Sequence, residues 1–312
     1  MGYNLDNKTP GPCNPVHKLL PAEREAVLQM AGEEEYADLS HRTMAVTACD
    51  LGLYFMSFSS VYRIMLSEGL TSMRGKQRDH NGCSVPPIRK DITGPDQRWC
   101  WDVSYLLTYV KGIYLYLYVL LDEYSRKVIQ WRVSWQQTAE MGQDLIENGF
   151  IDENLIDLPE KDRPEVINDR GPQMKAKKIK KMFNDLNMPQ LFARPRTPND
   201  NPFIESLFSS VKSAPQYPGR FLDLEEAIRY FDTYFEWYNK EHLHSGIDYV
   251  TPEQCHNGLR DDILASRKKA LNNQRCFRKE VNKLQQHKFL TEYADYLNTN
   301  INPFGPCSVI SP

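Results

Sequence analysis

The chain has 312 residues, 41% of them hydrophobic and 25% charged, which suits a soluble globular protein with one large core and smaller attachments. No run approaches the roughly 18 apolar residues needed to cross a membrane, and Met1 to Pro15 lacks a charged-then-apolar signal pattern, so a cytoplasmic location is expected. Formal net charge is −3, which excludes a uniformly basic nucleic-acid binder, and the seven scattered cysteines, never spaced Cys-x-x-Cys, argue against a disulfide framework or structural zinc.

In chain order, residues 1–19 read as an unstructured leader. Residues 20–70 read as helical: one helix from Pro21, a second over Ser40 to Asp50, and a third over Ser60 to Glu68, capped from Ser57 onward and ended by Gly69. Three short helices with a glycine turn before the last fit a helix-turn-helix, and fit a plain three-helix packing module equally well. Residues 71–96 carry Arg74, Lys76, Arg78, Arg89 and Lys90 among Gly, Pro and Asn, and read as a basic linker that either tracks a DNA backbone or is simply solvated.

From residue 97 to 258 the pattern is α/β. Trp99 to Leu107, Ile113 to Leu121 and Lys127 to Trp135 are three strands in a meander, with a turn at Asp122 to Ser125 whose two acids receive no catalytic role. A helix over Thr138 to Asn148, a strand over Glu165 to Asp169, a basic helix over Lys175 to Leu186 and a strand over Gln190 to Ala193 follow. A helix from Phe203 to Lys212, with Pro202 in its first turn, and an aromatic helix over Leu222 to Trp237 complete a mixed sheet with flanking helices. Residues 259–312 form a basic tail, helical from Asp261 to about Gln274 and irregular after Asn298.

Charge is concentrated locally. Ten basic side chains stand against three acidic ones between Arg170 and Arg220, and Arg170, Lys175, Lys178, Arg194 and Arg196 are candidate phosphate contacts there. The lysines of residues 175–181 either contact DNA or line a solvated helix face. Tyr114, Tyr116 and Tyr118 recur every second residue, which favours packing over base stacking, and His244 reads as a hydrogen-bonded structural histidine.

Three carboxylates stand out by their settings. Asp102 lies inside an apolar strand, a costly place for a charge. Asp169 ends a strand before a Gly-Pro break, and Glu205 lies in the first turn of a helix. Three converging carboxylates repel one another and require a cation, and an all-oxygen donor set selects Mg²⁺ or Mn²⁺ over Zn²⁺. Two such ions suit phosphoryl transfer by water or by a DNA 3′-hydroxyl.

The surroundings of these acids resemble those in bacterial insertion-sequence transposases with a retroviral-integrase-like core. Trp99-Cys100-Trp101-Asp102-Val103-Ser104-Tyr105 is similar to that family's W-x-x-D-[IV]-[ST]-Y. Asn168-Asp169-Arg170-Gly171-Pro172-Gln173 is similar to S-D-x-G-x-Q, and Pro198 to Phe208, containing Asp200-Asn201 and Glu205-Ser206, to P-x-D-N-x-x-x-E-S-F-F. Between Asp169 and Glu205 lie 35 residues, the spacing of the family's D,D(35)E label. Trp237 to Gly246 and Val250-Thr251-Pro252 resemble its Y-N-x-x-R-x-H-S…T-P ending. Asn168, Pro172 and His242 depart from the common pattern, and nothing matches the His-His-Cys-Cys zinc domain of retroviral integrases.

The resemblance implies an RNase H-like integrase core with a five-stranded mixed sheet. It implies a metal-dependent transposase that cleaves transposon ends and joins 3′-hydroxyls to target DNA through Asp102, Asp169 and Glu205, holding two Mg²⁺ or Mn²⁺ ions. It makes Lys212 a DNA contact, and makes the N-terminal helices a DNA-binding helix-turn-helix with Ser59, Ser60, Tyr62 and Arg63 on the recognition helix. The implied partners are duplex DNA, further copies of the chain and a protein from an upstream reading frame, of which this chain would be the catalytic part. The competing readings are a catalytically inactive DNA-binding protein or repressor, and an RNase H-type nuclease acting on RNA–DNA hybrids.

Overall fold

The computed structural model describes residues 15–71, 92–169, 176–192 and 201–300, together with Gly171 and Met174. Residues 1–14 of the expected leader, nearly all of the expected linker and residues 301–312 lie outside the described residues. The helices are α1 (Pro21–Gly32), α2 (His41–Asp50), α3 (Phe58–Ser67), α4 (Ala139–Asp152), α5 (Lys177–Asp185), α6 (Pro202–Ser213), α7 (Leu224–Lys240), α8 (Pro252–His256) and α9 (Arg260–Asn300). The strands are β1 (Arg98–Leu107), β2 (Tyr114–Asp122), β3 (Val128–Ser134), β4 (Glu165–Asn168) and β5 (Gln190–Phe192). No described helix is long and apolar enough to cross a membrane. The chain forms two compact units, one from residues 77–263 and one from residues 1–76 with 264–312.

The larger unit is built on a mixed sheet of order β3-β2-β1-β4-β5. The pairs β1–β2 and β2–β3 are antiparallel, while β4 runs parallel to both β1 and β5. The sheet is covered on both faces, which is why β2 reads as a nearly continuous apolar run rather than an alternating one. Strand periodicity sorts the side chains. On one face, Cys100, Leu106, Leu115, Leu117, Val119 and Leu121 pack against α6 and α7 through Ile204, Leu207, Phe231 and Phe235. On the other, Trp99, Trp101, Tyr118 and Leu120 pack against α4 and α5 through Leu145, Ile146, Ile179 and Phe183.

α4 lies close to the sheet because two glycines let it. A Cβ on Gly142 would stand 2.7 Å from Cη2 of Trp101, and one on Gly149 would stand 2.7 Å from Cδ2 of Leu120. Of the tyrosine stripe, Tyr116 and Tyr118 pack into the core as periodicity suggested, while Tyr114 is exposed. Tyr118 is buried with its hydroxyl donating to the Gln136 carbonyl, and Tyr105 meets the Tyr116 ring at 5.3 Å.

In the smaller unit, α1, α2 and α3 enclose a core of Val27, Met30, Met44, Ala48, Val61 and Ile64. Ser40 and Ser57 cap α2 and α3, accepting from the Thr43 and Ser60 amides. The long helix α9 belongs to the same unit from Leu264 on. Its buried Arg278 donates from Nε to both carboxylate oxygens of Glu23, at 2.8 and 2.7 Å, and also bonds the Phe55 carbonyl. Asn282 donates to the carbonyls of Val16 and Lys18. Burial alone would raise the Glu23 pKa, and the bonds from Arg278, the Leu20 amide and Gln274 reverse this and lower it. The helix runs well beyond the expected end near Gln274. Residues 275–289 contain no Gly or Pro and many good helix formers, but no continuous apolar stripe that periodicity could detect.

Candidate active site

Asp102 lies in the middle of β1, on the α6–α7 side of the sheet with Cys100 and Leu106. The parallel register of β1 and β4 pairs Trp99 with Val166 and Cys100 with Ile167. Continued two residues, this register brings Asp169 alongside Asp102 on the same side, at the ~4.8 Å spacing of neighbouring strands. Asp169 is exposed just past the end of β4, and its Oδ1 accepts from the Gly171 amide at 2.8 Å. Asn168, fully buried, braces this turn. Its Nδ2 donates to the Asp169 carbonyl at 2.6 Å, and its Oδ1 accepts from Gln190 Nε2 at 3.2 Å.

Glu205 enters from the covering helix. Pro202 starts α6, and Ile204, Leu207, Phe208 and Val211 bury one face of it on the sheet, which leaves Glu205 exposed in the first turn. The three acids share one electrostatic field. Burial pushes the Asp102 pKa from 3.8 up to about 7; the Val103 amide opposes the rise, and the charges of Asp169 and Glu205 add to it. Burial also raises the Glu205 pKa. The three do not form a group with ligand atoms within 4.8 Å of one another, as Asp96, Glu153 and His256 do among the described residues. The donor set fits a hard divalent cation: it is all oxygen, it is anionic, and burial, with the two neighbouring charges adding to it, favours a protonated Asp102 until a counter-charge arrives.

Phe203, two residues before Glu205, carries the guanidinium carbon of Arg126 at 3.6 Å from its ring centroid. Arg126 comes from the β2–β3 turn with a left-handed φ of 64°, and its Nη1 is buried without a hydrogen-bond partner. Nothing in its sequence setting signalled this role, because the two residues are far apart in the chain.

The Asp96, Glu153 and His256 group has metal-ligand geometry, but its cation is built in. His256 Nε2 lies 3.1 Å from Glu153 and 3.4 Å from Asp96; its Nδ1 lies 3.1 Å from the Ser125 hydroxyl and 3.9 Å from Asp122. Lys127 adds a second charge, 2.7 Å from Glu153. Burial by itself would lower the His256 pKa, and Asp122, Glu153 and Asp96 overcome it and raise it to about 9. The imidazolium ties α8 to the ends of β2 and α4. Asp122 is thus a structural anchor, accepting also from the amides of Asp96 and Ser125. His244 is structural too: its Nδ1 accepts from the Gly246 amide at 3.0 Å, and burial, helped by His242 and Arg126, lowers its pKa to about 4.

The candidate DNA contacts fall in several places. Lys212 is exposed on α6, seven residues past Glu205. Lys178 is exposed on α5 and paired with Glu140. Ser59, Tyr62 and Arg63 are exposed on α3, while Ser60 is half-buried with its hydroxyl 3.0 Å from that of Ser57. Arg170, Lys175, Arg194 and Arg196 lie outside the described residues.

A mixed sheet of this order, with acids at the centre of β1 and the end of β4 and a third on the covering helix, defines the RNase H-like class. Two family models, both described as integrase core domain, match residues 92–198 and 187–252. Together they span just over half of the chain, which carries an integrase core domain and is similar to insertion-sequence transposases. It is 28% identical over 167 residues to the transposase of IS904 from Lactococcus lactis, covering 52% of this chain and 61% of that one. It is 30% identical over 169 residues to transposase InsF of IS3 from Escherichia coli, covering 53% and 55%. The chain thus spans little more than half the length of these relatives. Among solved structures, the HTLV-2 integrase catalytic core in complex with magnesium aligns at 16% identity and a TM-score of 0.37, over 52% of this chain and 97% of that one.

Proposed function

We propose that the chain is a DNA transposase that cleaves transposon ends and transfers the resulting 3′-hydroxyls into target DNA, with Asp102, Asp169 and Glu205 as its metal-holding acids. The observation that carries this reading is the β1–β4 register, which sets Asp169 beside Asp102 on the side of the sheet covered by α6, the helix that bears Glu205 in its first turn. Carboxylates that repel one another at the edge of a packed core cost stability, and a fold keeps them where a cation is to be held. Two Mg²⁺ or Mn²⁺ ions, when bound, supply charge neutralisation for the attacking and leaving oxygens of a phosphodiester. The chain's own contribution is positional. β1 and β4 fix two acids rigidly, and α6 presents the third. Lys212 is available to hold a phosphate along the same helix, with Arg170, Lys175, Lys178, Arg194 and Arg196 as further backbone contacts.

Duplex DNA, further copies of the chain and a protein from an upstream reading frame are the partners in this proposal. The three acids are intact, and no observation favours a non-catalytic reading. The test is strand transfer of a labelled element-end duplex into plasmid DNA with Mg²⁺. Joining by the unmodified chain and none by Asp102→Asn is expected. Equal joining by the variant would overturn the assignment.

A further inference from the structure

The smaller unit contains an open cleft of about 1420 Å³ between the start of α1, one stripe of α3 and one stripe of α9. From α3 it takes Ser57, Ser60 and Arg63, and from α9 it takes Asn272, Arg275 and Gln285. No carboxylate lines it. Most arginines of this unit that touch a carboxylate do so as plain ion pairs: Arg24 with Glu68, Arg267 with Asp50, Arg278 with Glu23. Arg63 and Arg275 differ. Among the described residues, Arg63 bonds the Ser59 carbonyl of its own helix, and neither it nor Arg275 has an ion pair. The fold thus brings two cations without a carboxylate partner among the described residues to one cleft, from segments more than two hundred residues apart in sequence, with Ser57, Ser60, Asn272 and Gln285 beside them on a lining that is otherwise largely apolar.

We propose that α3 and α9 together form one duplex-DNA-binding surface, in which α9 holds the phosphate backbone through Arg275 while α3 presents Ser60 and Arg63 to it. The inference rests on the reading above that this chain acts on DNA, and extends it: the DNA-binding unit is discontinuous, and the C-terminal helix is part of it. Polyanion recognition follows from the uncompensated charge. A duplex is the polyanion that the functional reading supplies, and the cleft offers it cations from two helices. The buried Arg278–Glu23 pair and the Asn282 contacts fix α9 against α1, so Arg275 is held in place rather than carried on a free tail.

The experiment is fluorescence anisotropy of the full chain with a short mixed-sequence duplex across a salt series. Arg275→Ala should weaken binding several-fold at low salt and reduce the salt slope by about 0.9, the loss of one phosphate contact. Arg275→Lys should retain most of the slope, which separates charge from packing. Lys269→Ala, also on α9 but outside the cleft, should leave both unchanged. Arg275→Ala binding with the affinity and slope of the unmodified chain, while strand transfer persists, would overturn this inference alone. Displacement of nothing by duplex but occupancy by an acidic peptide would overturn it in favour of a protein partner. Failure of the unmodified chain both to bind duplex and to join strands would sink this inference and the functional reading together.

Discussion

The Arg126 guanidinium carbon stands 3.6 Å from the centroid of the Phe203 ring, a contact between the β2–β3 turn and the helix that carries Glu205. α6 begins without a side-chain cap, and the Oδ1 of Asn201 ahead of it is buried and unpartnered. The stack is therefore a principal fixture of the first turn. Arg126→Ala should cost roughly 1–2 kcal/mol of stability in denaturant unfolding. It should also slow strand transfer about tenfold or more, because a displaced acid no longer meets its metal geometry. Arg126→Lys should not rescue, since an ammonium lacks the planar face that stacks. A variant joining strands at the unmodified rate would show that α6 is held by its core residues alone.

The metal-free fold should lose stability as pH rises. Asp102 stands at about 7 when folded against 3.8 ordinarily, so between those values the folded chain keeps a proton that the unfolded chain has released. Stability therefore declines from about pH 4 through about pH 7, and the deficit is complete above it. Asp102→Asn should raise the melting temperature at pH 8 more than at pH 5. Added Mg²⁺ should stabilise the unmodified chain at pH 8 and leave the variant unmoved. Thermal unfolding with and without Mg²⁺ at both pH values checks the sign.

The His256 clasp has the same sign in a higher pH window. Its pKa is raised to about 9 from 6.5, so its contribution is complete below about pH 6.5 and lost as pH climbs through 9. Glu153 lies at about 2 against 4.5: burial is outweighed by its bonds with His256 and Lys127, and its contribution is lost only as pH falls toward 2. His256→Gln should cost about 3 kcal/mol at pH 7, where charges stay buried without their partner, and clearly less at pH 10. Equal losses at the two pH values in denaturant unfolding would contradict a charged imidazole.

Close packing at α4 gives a steric prediction. Gly142→Ala places a methyl against the rigid Trp101 indole and should destabilise by about 1–3 kcal/mol despite alanine's better helix propensity. Gly149→Ala meets the end of the Leu120 side chain and should cost less. The order of the two denaturant midpoints decides the matter.

Much of the larger unit was legible because its signals are local. β2 is a nearly unbroken run of aromatic and aliphatic residues, Pro202 marks the start of α6, and the motifs around the three acids are short. What the sequence did not reveal depends on distant pairs. Arg126 with Phe203, His256 with Glu153 and Arg278 with Glu23 join residues separated by 77, 103 and 255 positions, and no periodicity encodes them. The helix was expected to end near Gln274, since the anchors of α9 beyond it are an arginine and an asparagine bonded to a carboxylate and to backbone carbonyls rather than an apolar stripe.

The central claim is that Asp102, Asp169 and Glu205 jointly hold the divalent cations of a strand-transfer reaction. Its most direct test is Mn²⁺ titration of the full chain, followed by electron paramagnetic resonance, alongside strand transfer on the same samples. The account predicts Mn²⁺ binding that weakens at least tenfold in each of Asp102→Asn, Asp169→Asn and Glu205→Gln, with joining reduced to background in all three. Unchanged Mn²⁺ affinity in these variants, or joining that persists in any of them, would contradict it.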